Sequence, residues 1–197
     1  MNLPRTLLQA TIPGAVAFLA ASLFARSIES PPYETSEKDG KYELRTYKNI
    51  PVASAPLPAM KERDKSFNRL FRYISGGNDK KSKISMTAPV FMDQGETDHA
   101  DKPGVMSFVI PAAVAKDGAP KPVDADLRIS AIQGGRFAVL RFHGWKDDKR
   151  QAQAAADLAQ WIEKKGLKPE GKSFFAFYDP PWIFEMFRRN EIWQRVK

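Results

Sequence analysis

The sequence predicts a single α+β domain in which short antiparallel strands pack against two helices. Its length of 197 residues suits one domain with a core of its own. Hydrophobic residues make up 43% of the chain and charged residues 27%, a balance typical of globular proteins. Short segments with strand character surround two segments with helical spacing, in the order strand-strand-helix-strand-strand, twice.

The first of these repeats occupies residues 42–110. Alternating apolar and β-branched residues predict strands at residues 42–47, 52–57, 84–92 and 105–110. A helix is predicted over residues 60–75, because apolar side chains recur there at helical spacing: Phe67, Leu70, Phe71 and Ile74. This stripe predicts that the helix packs on the core through those four positions.

The second repeat follows a polar loop at residues 111–124. Its strands are predicted at residues 127–132, 137–142, 174–178 and 192–196, with a glycine-rich hairpin turn at Gly134. Asp147 or Asp148 can cap the helix between them. That helix carries apolar residues at the same spacing, Ala155, Leu158, Ala159 and Ile162, and Gly166 ends it.

The first thirty residues have a different composition from the rest. Residues 6–25 contain no charged side chain and lie between Arg5 and Arg26. Twenty residues are enough to span a bilayer, and a basic start followed by small residues also fits a secretory signal peptide. We therefore expect a signal peptide or membrane anchor plus linker in residues 1–30, and the folded domain in residues 31–197. This predicts an extracytoplasmic protein, in the periplasm, secreted or anchored to the membrane.

The charge and composition narrow the classes of function. Without cysteine, the chain has no disulfides, thiolate metal sites or covalently attached haem. The net charge of +8 is mostly interleaved, as in residues 61–65, so no nucleic-acid partner is expected. A denser cluster at Lys80, Lys81 and Lys83 fits either a solvated loop or a contact for ligand carboxylates. No catalytic spacing is present, so the sequence does not predict an enzyme.

Two separated motifs resemble the SOUL/haem-binding protein family. They are Met86-Thr87-Ala88-Pro89-Val90 and, near the C-terminus, Arg188-Arg189-Asn190-Glu191-Ile192-Trp193. The resemblance extends over residues 40–196. It implies a distorted antiparallel β-barrel flanked by two helices. It also implies non-covalent binding of haem or a related tetrapyrrole in an apolar groove near the first helix, for storage, buffering or transfer.

The resemblance, together with residue chemistry, suggests which side chains form that groove. Flat apolar walls and cations for the propionates are what a porphyrin needs. Candidates for the walls are Met60, Phe67, Phe71, Met86, Trp182 and Phe184. Candidates for the propionate contacts are Arg63, Lys80 and Lys81. Phe67 and Phe71 also fit core packing, and that alternative stays open.

Iron ligation is a separate question. Some members of the family are thought to use a histidine between the arginine and tyrosine of the opening strand, where this chain has Thr46. His143, at the end of a predicted strand, is then the candidate axial ligand, although a structural or exposed histidine is the simpler interpretation. His99 lies in a polar loop and is expected to be exposed.

Two other functions fit the same fold. One is an enzyme that acts on a tetrapyrrole or another small molecule in the same groove, which requires a titratable residue there with a shifted pKa. The other is a small-molecule-sensing or interaction domain that does not bind haem, because a fold does not determine a function.

Overall fold

The computed structural model describes residues 28–95, 103–144, 148–180 and 182–197. Its strands are β1 (Tyr33–Asp39), β2 (Tyr42–Tyr47), β3 (Ile50–Leu57), β4 (Val90–Gly95), β5 (Pro103–Val109), β6 (Arg128–Ile132), β7 (Gly135–Phe142), β8 (Pro169–Phe177) and β9 (Asn190–Val196). Its helices are α1 (Arg63–Ile74), α2 (Ala112–Lys116) and α3 (Asp148–Lys164), with 3₁₀ turns at Met60–Glu62 and Glu185–Phe187.

All nine of these strands belong to one antiparallel sheet. Their order is β1-β2-β7-β9-β8-β4-β5-β3-β6, so β1 and β6 are the edges. The last strand of the chain, β9, lies between β7 and β8 near the middle of the sheet. Its register pairs Asn190 with both Phe142 and Phe177. The sheet therefore depends on contacts between residues that are far apart in the sequence.

The sheet curves until two of its turns meet. The backbone N–H of Gly134, between β6 and β7, donates to Asn49 Oδ1 in the β2–β3 turn at 2.8 Å. A Cβ atom on Gly134 would lie 2.6 Å from the carbonyl oxygen of Tyr47. Only a residue without a side chain fits such a close approach of two backbones. Gly134 thus marks the place where the curved sheet comes nearest to closing on itself.

The inner face of the curved sheet encloses an aromatic cluster. Trp193 is fully buried at its centre, with the rings of Tyr47, Phe91, Phe137 and Phe174 at centroid distances of 4.4 to 5.8 Å. Aromatic pairs at these separations stabilise beyond their buried area. Because the cluster takes residues from strands on both halves of the sheet, it requires the curvature.

The outer face of the sheet carries the helices. α1 packs on β3 and β5, and α3 packs on β7 and β9. Leu70 of α1 and Leu158 of α3 are both buried in one cluster with Phe108 and Phe177 of the sheet. Strands β4 and β8 lie between the two helices. The helices thus flank the sheet, as expected.

The predicted fold class is confirmed, with two repeats of strand-strand-helix-strand-strand from β2 to β9. The structure adds β1 before them and the short α2 inside the loop at residues 111–124. The third strand begins at Val90 rather than at residue 84. Residues 84–89 instead lie beside α1 and β5, where Thr87 Oγ1 donates to the carbonyl oxygen of Val109 at 2.6 Å.

Residues 1–27, which contain the predicted signal peptide or anchor, lie outside the described residues. Within the part of the chain that is described, no helix is long and apolar enough to cross a membrane. The chain is first described at Ile28, and Glu29 forms a parallel bridge with Thr87. Glu29, which the sequence assigned to a linker, thus contacts the folded domain.

Candidate functional site

An exposed aromatic surface lies on α1. The side chains of Phe67 and Phe71 are 36% and 51% exposed, and their rings are nearly parallel, with an interplanar angle of 11° and centroids 6.2 Å apart. Phe67 also meets the ring of Phe108 edge-on at 5.2 Å. Leu70 and Ile74 are buried. The predicted core stripe is therefore correct for the two aliphatic residues and wrong for the two phenylalanines.

Three polar contacts set the rotation of α1 that leaves these rings outside. Ser66 Oγ donates to the carbonyl oxygen of Pro56 at 2.6 Å, at the end of β3. Tyr73 OH donates to the carbonyl oxygen of Pro120 at 2.9 Å. The backbone N–H of Ile84 donates to the carbonyl oxygen of Ile74 at 2.8 Å. Because Ser66, Tyr73 and Leu70 share the buried side of the helix, Phe67 and Phe71 lie at its edge.

Met86 belongs to the segment that follows α1 and is 36% exposed. This segment is fixed at both ends, by the bond from Ile84 to Ile74 and by the bond from Thr87 to Val109. Met86 is thereby placed near the C-terminal end of α1, on the side of β5. We call Phe67, Phe71 and Met86 the α1 patch.

The lysine loop, residues 77–83, follows directly after α1. Buried Asn78 organises it: its Nδ2 donates to the carbonyl oxygens of Tyr73 at 3.0 Å and Ser82 at 2.8 Å. Its Oδ1 accepts from the backbone N–H of Ser82 at 3.1 Å. Lys80 and Lys81 are exposed, and Lys81 has a φ of 48°, which non-glycine residues adopt rarely. The loop therefore holds the backbone of Lys80 and Lys81 in a defined place.

Arg63 is separated from the lysines. It is the first residue of α1, whereas the lysine loop begins after the last turn. Twelve residues of helix put about 18 Å between these ends. Arg63 and the lysine loop are therefore at opposite ends of the helix that carries Phe67 and Phe71. Met60, near Arg63 in a 3₁₀ turn, is described by its backbone alone.

His143 is also distant from the α1 patch. It is exposed at the end of β7, and its Nδ1 lies 2.9 Å from the carbonyl oxygen of Arg188. Because a carbonyl oxygen only accepts hydrogen bonds, Nδ1 is the donor in this contact. Four strand spacings, about 19 Å along the sheet, separate β7 from β5. Exposed Thr46 lies on β2, the strand that pairs with β7, and His99 lies outside the described residues.

Trp182 and Phe184 are in the connection between β8 and β9, and both are highly exposed, at 76% and 66%. Two neighbours that the sequence did not single out, Met186 and Phe187, are exposed at 70% and 57%. We call residues 182–187 the aromatic loop. The signal that could have identified it is five large apolar residues in six positions with neither strand nor helix spacing.

The base of the aromatic loop is firmly held. Ile183 and Arg188 are buried, and Arg188 Nε donates to the carbonyl oxygen of Ile183 at 2.7 Å. The backbone N–H of Arg189 donates to Asp179 Oδ2 at 2.5 Å. The exposed apolar side chains are therefore presented from a fixed backbone.

A buried ionic network joins the opening strand of the family resemblance to its C-terminal motif. The fully buried carboxylate of Glu191 accepts both terminal nitrogens of Arg45, at 2.9 and 3.1 Å. It also accepts from Arg189, Tyr178 OH and Trp193 Nε1, at 2.7 to 3.0 Å. Burial opposes its ionisation, but hydrogen bonds and charge from Arg45 hold the pKa of Glu191 below its usual value. Both oxygens of the Glu191 carboxylate accept hydrogen bonds from these side chains, so we interpret Glu191 as a structural residue.

A cavity of about 560 Å³ lies between α3 and strands β4 and β8, away from the predicted site residues. Its lining includes Asp93, Asp148, Lys172 and Phe175. No group of three or more histidine, cysteine or acidic residues that could hold a metal ion occurs among the described residues.

Comparison with known proteins agrees with the fold and its motifs. Residues 28–195 match the model of the SOUL heme-binding protein family. The chain is 27% identical to heme-binding protein 2 of Homo sapiens over 191 residues, 92% of this chain and 90% of that protein. It is 28% identical to heme-binding protein 1 of Bos taurus over 184 residues, 87% of this chain and 93% of that protein.

Solved structures show the same fold at lower identity. The C-terminal domain of EcmrR superposes with a TM-score of 0.61 at 15% identity, covering 84% of this chain and 98% of that one. A protein described as a hydrolase from Listeria innocua superposes with a TM-score of 0.56 at 12% identity, covering 82% and 94%. At these identities the likeness concerns the fold alone.

Proposed function

Because this chain belongs to the SOUL heme-binding protein family, we propose that it binds haem or a related tetrapyrrole non-covalently on the α1 patch. One observation carries the proposal: Phe67 and Phe71 are exposed with nearly parallel rings, whereas Leu70 and Ile74 of the same helix are buried. Exposed aromatic side chains on a rigid element are the surface that a flat apolar ligand can cover. The relatives are named as binding proteins, in agreement with a binding function rather than an enzyme.

The lysine loop supplies the charge for this ligand. Lys80 and Lys81 lie in the loop that follows the C-terminal end of α1, between Phe71 and Met86 in the chain. Their position is fixed through Asn78, so little ordering is needed when a ligand binds. We therefore assign the propionate contacts to Lys80 and Lys81 rather than to Arg63.

Iron needs no histidine in this arrangement. His143 is across the sheet from the α1 patch, and Thr46 replaces the histidine of some family members. Haem would be held by apolar packing and by propionate contacts, and Met86 of the α1 patch carries a thioether, a group that can bind haem iron. Such binding is reversible, which suits storage, buffering or transfer. Trp182 and Phe184 stay candidates for a second wall.

A titration of residues 28–197 with haemin, and with protoporphyrin IX as the metal-free control, tests the proposal through Soret absorbance. Both ligands should bind saturably. The double variant Phe67→Ser/Phe71→Ser should bind both about tenfold more weakly or worse, because about 1.4 kcal/mol of lost apolar contact suffices. Val105→Ser, which changes an apolar residue that is 39% exposed on the face of β5 opposite to Phe108, is the matched control.

The charge assignment has its own pair of variants. Lys80→Glu/Lys81→Glu should weaken binding, whereas Lys164→Glu/Lys168→Glu, with the same change in net charge at exposed positions, should not. His143→Ala should leave the Soret band of the haemin complex unchanged. Failure of both ligands to bind saturably would remove the haem function and favour a sensing or interaction domain. Conversion of bound tetrapyrrole to a product would favour the enzyme.

The cellular location is proposed on the sequence of residues 1–30 alone. Their uncharged run after Arg5 supports export, either as a cleaved signal or as an anchor. Cell fractionation and the N-terminal sequence of the mature protein test this proposal.

A further inference from the structure

The aromatic loop is more apolar and more exposed than a soluble surface requires. Trp182, Phe184, Met186 and Phe187 are each more than half exposed within six residues. Concentrations of exposed large apolar side chains mark interaction surfaces. The only ionised side chain between them, Glu185, forms a salt bridge of 3.2 Å with Arg150. The loop can therefore enter a less polar environment without bringing an unpaired charge with it.

The described chain begins at the same end of the sheet. The carbonyl oxygen of Glu29 accepts from the backbone N–H of Ala88 at 2.9 Å, and its Oε1 accepts from that of Ala112 at 2.7 Å. Two residues after Ala88, Val90 begins β4 and pairs with Phe177, the last residue of β8. The connection that carries the aromatic loop starts there. The loop and the attachment of Glu29 thus belong to neighbouring strand ends.

The attachment of Glu29 limits how far the N-terminal apolar run, residues 6–25, can lie from this end of the sheet. Arg26 closes the uncharged run and is three residues before Glu29. Three residues of extended chain reach at most about 10 Å. If residues 6–25 enter a bilayer, this end of the sheet stays close to the lipid surface.

We propose that the aromatic loop contacts the bilayer and forms a second membrane attachment beside residues 6–25. Tryptophan favours the membrane–water interface, and the other three side chains are apolar enough to enter the acyl boundary. If residues 6–25 anchor the chain as proposed above, they hold the loop near the lipid, so even weak contacts of the loop are formed at high effective concentration. The proposal does not depend on haem binding by the α1 patch.

Quenching of tryptophan fluorescence tests this contact. The full chain is incorporated into vesicles of phosphatidylcholine with a minority of phosphatidylglycerol, with or without lipids brominated in the upper acyl chain. Trp161 and Trp193 are buried in the domain, so Trp182 is the exposed indole among the described residues. Brominated lipid should quench a component of the wild-type emission that Trp182→Phe protein lacks. Phe184→Ser/Phe187→Ser should reduce that component, and Val123→Ser should not.

Several results would overturn the proposal. Equal quenching of wild-type and Trp182→Phe protein would show that the loop is away from the lipid. A change of oligomeric state in the Trp182→Phe protein, without lipid quenching, would assign the loop to a second copy of the chain. Loss of haemin affinity in the loop variants without lipid quenching would make the loop a porphyrin wall. Failure of the haem titration alone would leave the membrane contact standing.

Discussion

Substituting Glu191 by Gln should destabilise the fold strongly, although the side chain keeps its size. The carboxylate is the shared acceptor of Arg45, Arg189, Tyr178 and Trp193. A glutamine amide removes the negative charge and turns two N–H groups toward these donors. Arg45 would then be a buried cation, only 2% exposed, that has lost its bidentate partner.

The size of the effect follows from the burial of this pair. Breaking a buried ion pair by removing one partner costs about 3–5 kcal/mol. Glu43 stays 2.7 Å from Arg45 Nε and is only partly exposed, so a loss near the lower value, about 3 kcal/mol, is expected. With a urea m-value of about 2 kcal/mol/M, the midpoint of unfolding should fall by about 1.5 M.

Urea unfolding followed by circular dichroism measures this change without relying on the fluorescence of Trp193, which contacts the substituted residue. Glu163→Gln, on the exposed side of α3, is the matched control and should change the unfolding free energy by less than about 0.5 kcal/mol. Arg45→Met/Glu191→Leu removes both charges and should lose less stability than Glu191→Gln. A loss below about 1 kcal/mol in Glu191→Gln would refute the argument from burial.

Three further predictions concern other features. The pKa of Glu191 is lowered in the folded protein, so its carboxylate stabilises the fold fully above the ordinary carboxyl pKa. This contribution is lost as the pH falls through the pKa that Glu191 has in the folded protein. A plot of unfolding free energy against pH should therefore be less steep on the acid side in Glu191→Gln. Asn78→Ala should cost about 2–3 kcal/mol in urea unfolding and weaken haemin binding, because three hydrogen bonds of the lysine loop are lost. Gly134→Ala should cost about 1–3 kcal/mol, since its Cβ would lie 2.6–2.8 Å from backbone atoms of the β2–β3 turn; unchanged thermal unfolding would contradict that close contact.

The fold was predictable where local pattern and burial agree. β2 has the same bounds as predicted, and both long helices occur where apolar residues repeat at helical spacing. β1 was missed because its residues are mostly polar and exposed on an edge strand, so no alternation marks it. Residues 84–89 have strand composition but make side-chain and backbone bonds to α1 and β5 instead. Those bonds depend on tertiary contacts that a local pattern does not contain.

The sequence indicated which types of residue form the candidate site, but not which of them lie close together in the fold. Helical spacing placed Phe67 and Phe71 on one stripe with Leu70 and Ile74, yet the sheet contacts only part of that stripe. Lys80 and Lys81 fall beside this helix, whereas His143 falls across the sheet. The pairing of the opening strand with the C-terminal motif through Arg45 and Glu191 was not predicted, because 146 residues separate the two side chains. Strand order, which a single sequence does not reveal, determines all of these distances.

The central position of β9 has a consequence for how the protein is made. Without Asn190–Val196, the strands form two separate pieces, β1-β2-β7 and β8-β4-β5-β3-β6. The segment that joins them is synthesised after all the strands of both pieces, and it contains Trp193 and Glu191. Native folding of the sheet therefore waits until β9 has been made, in contrast to domains that can fold from their N-terminus as they emerge. Until β9 is made, the facing edges of β7 and β8 have no strand to pair with.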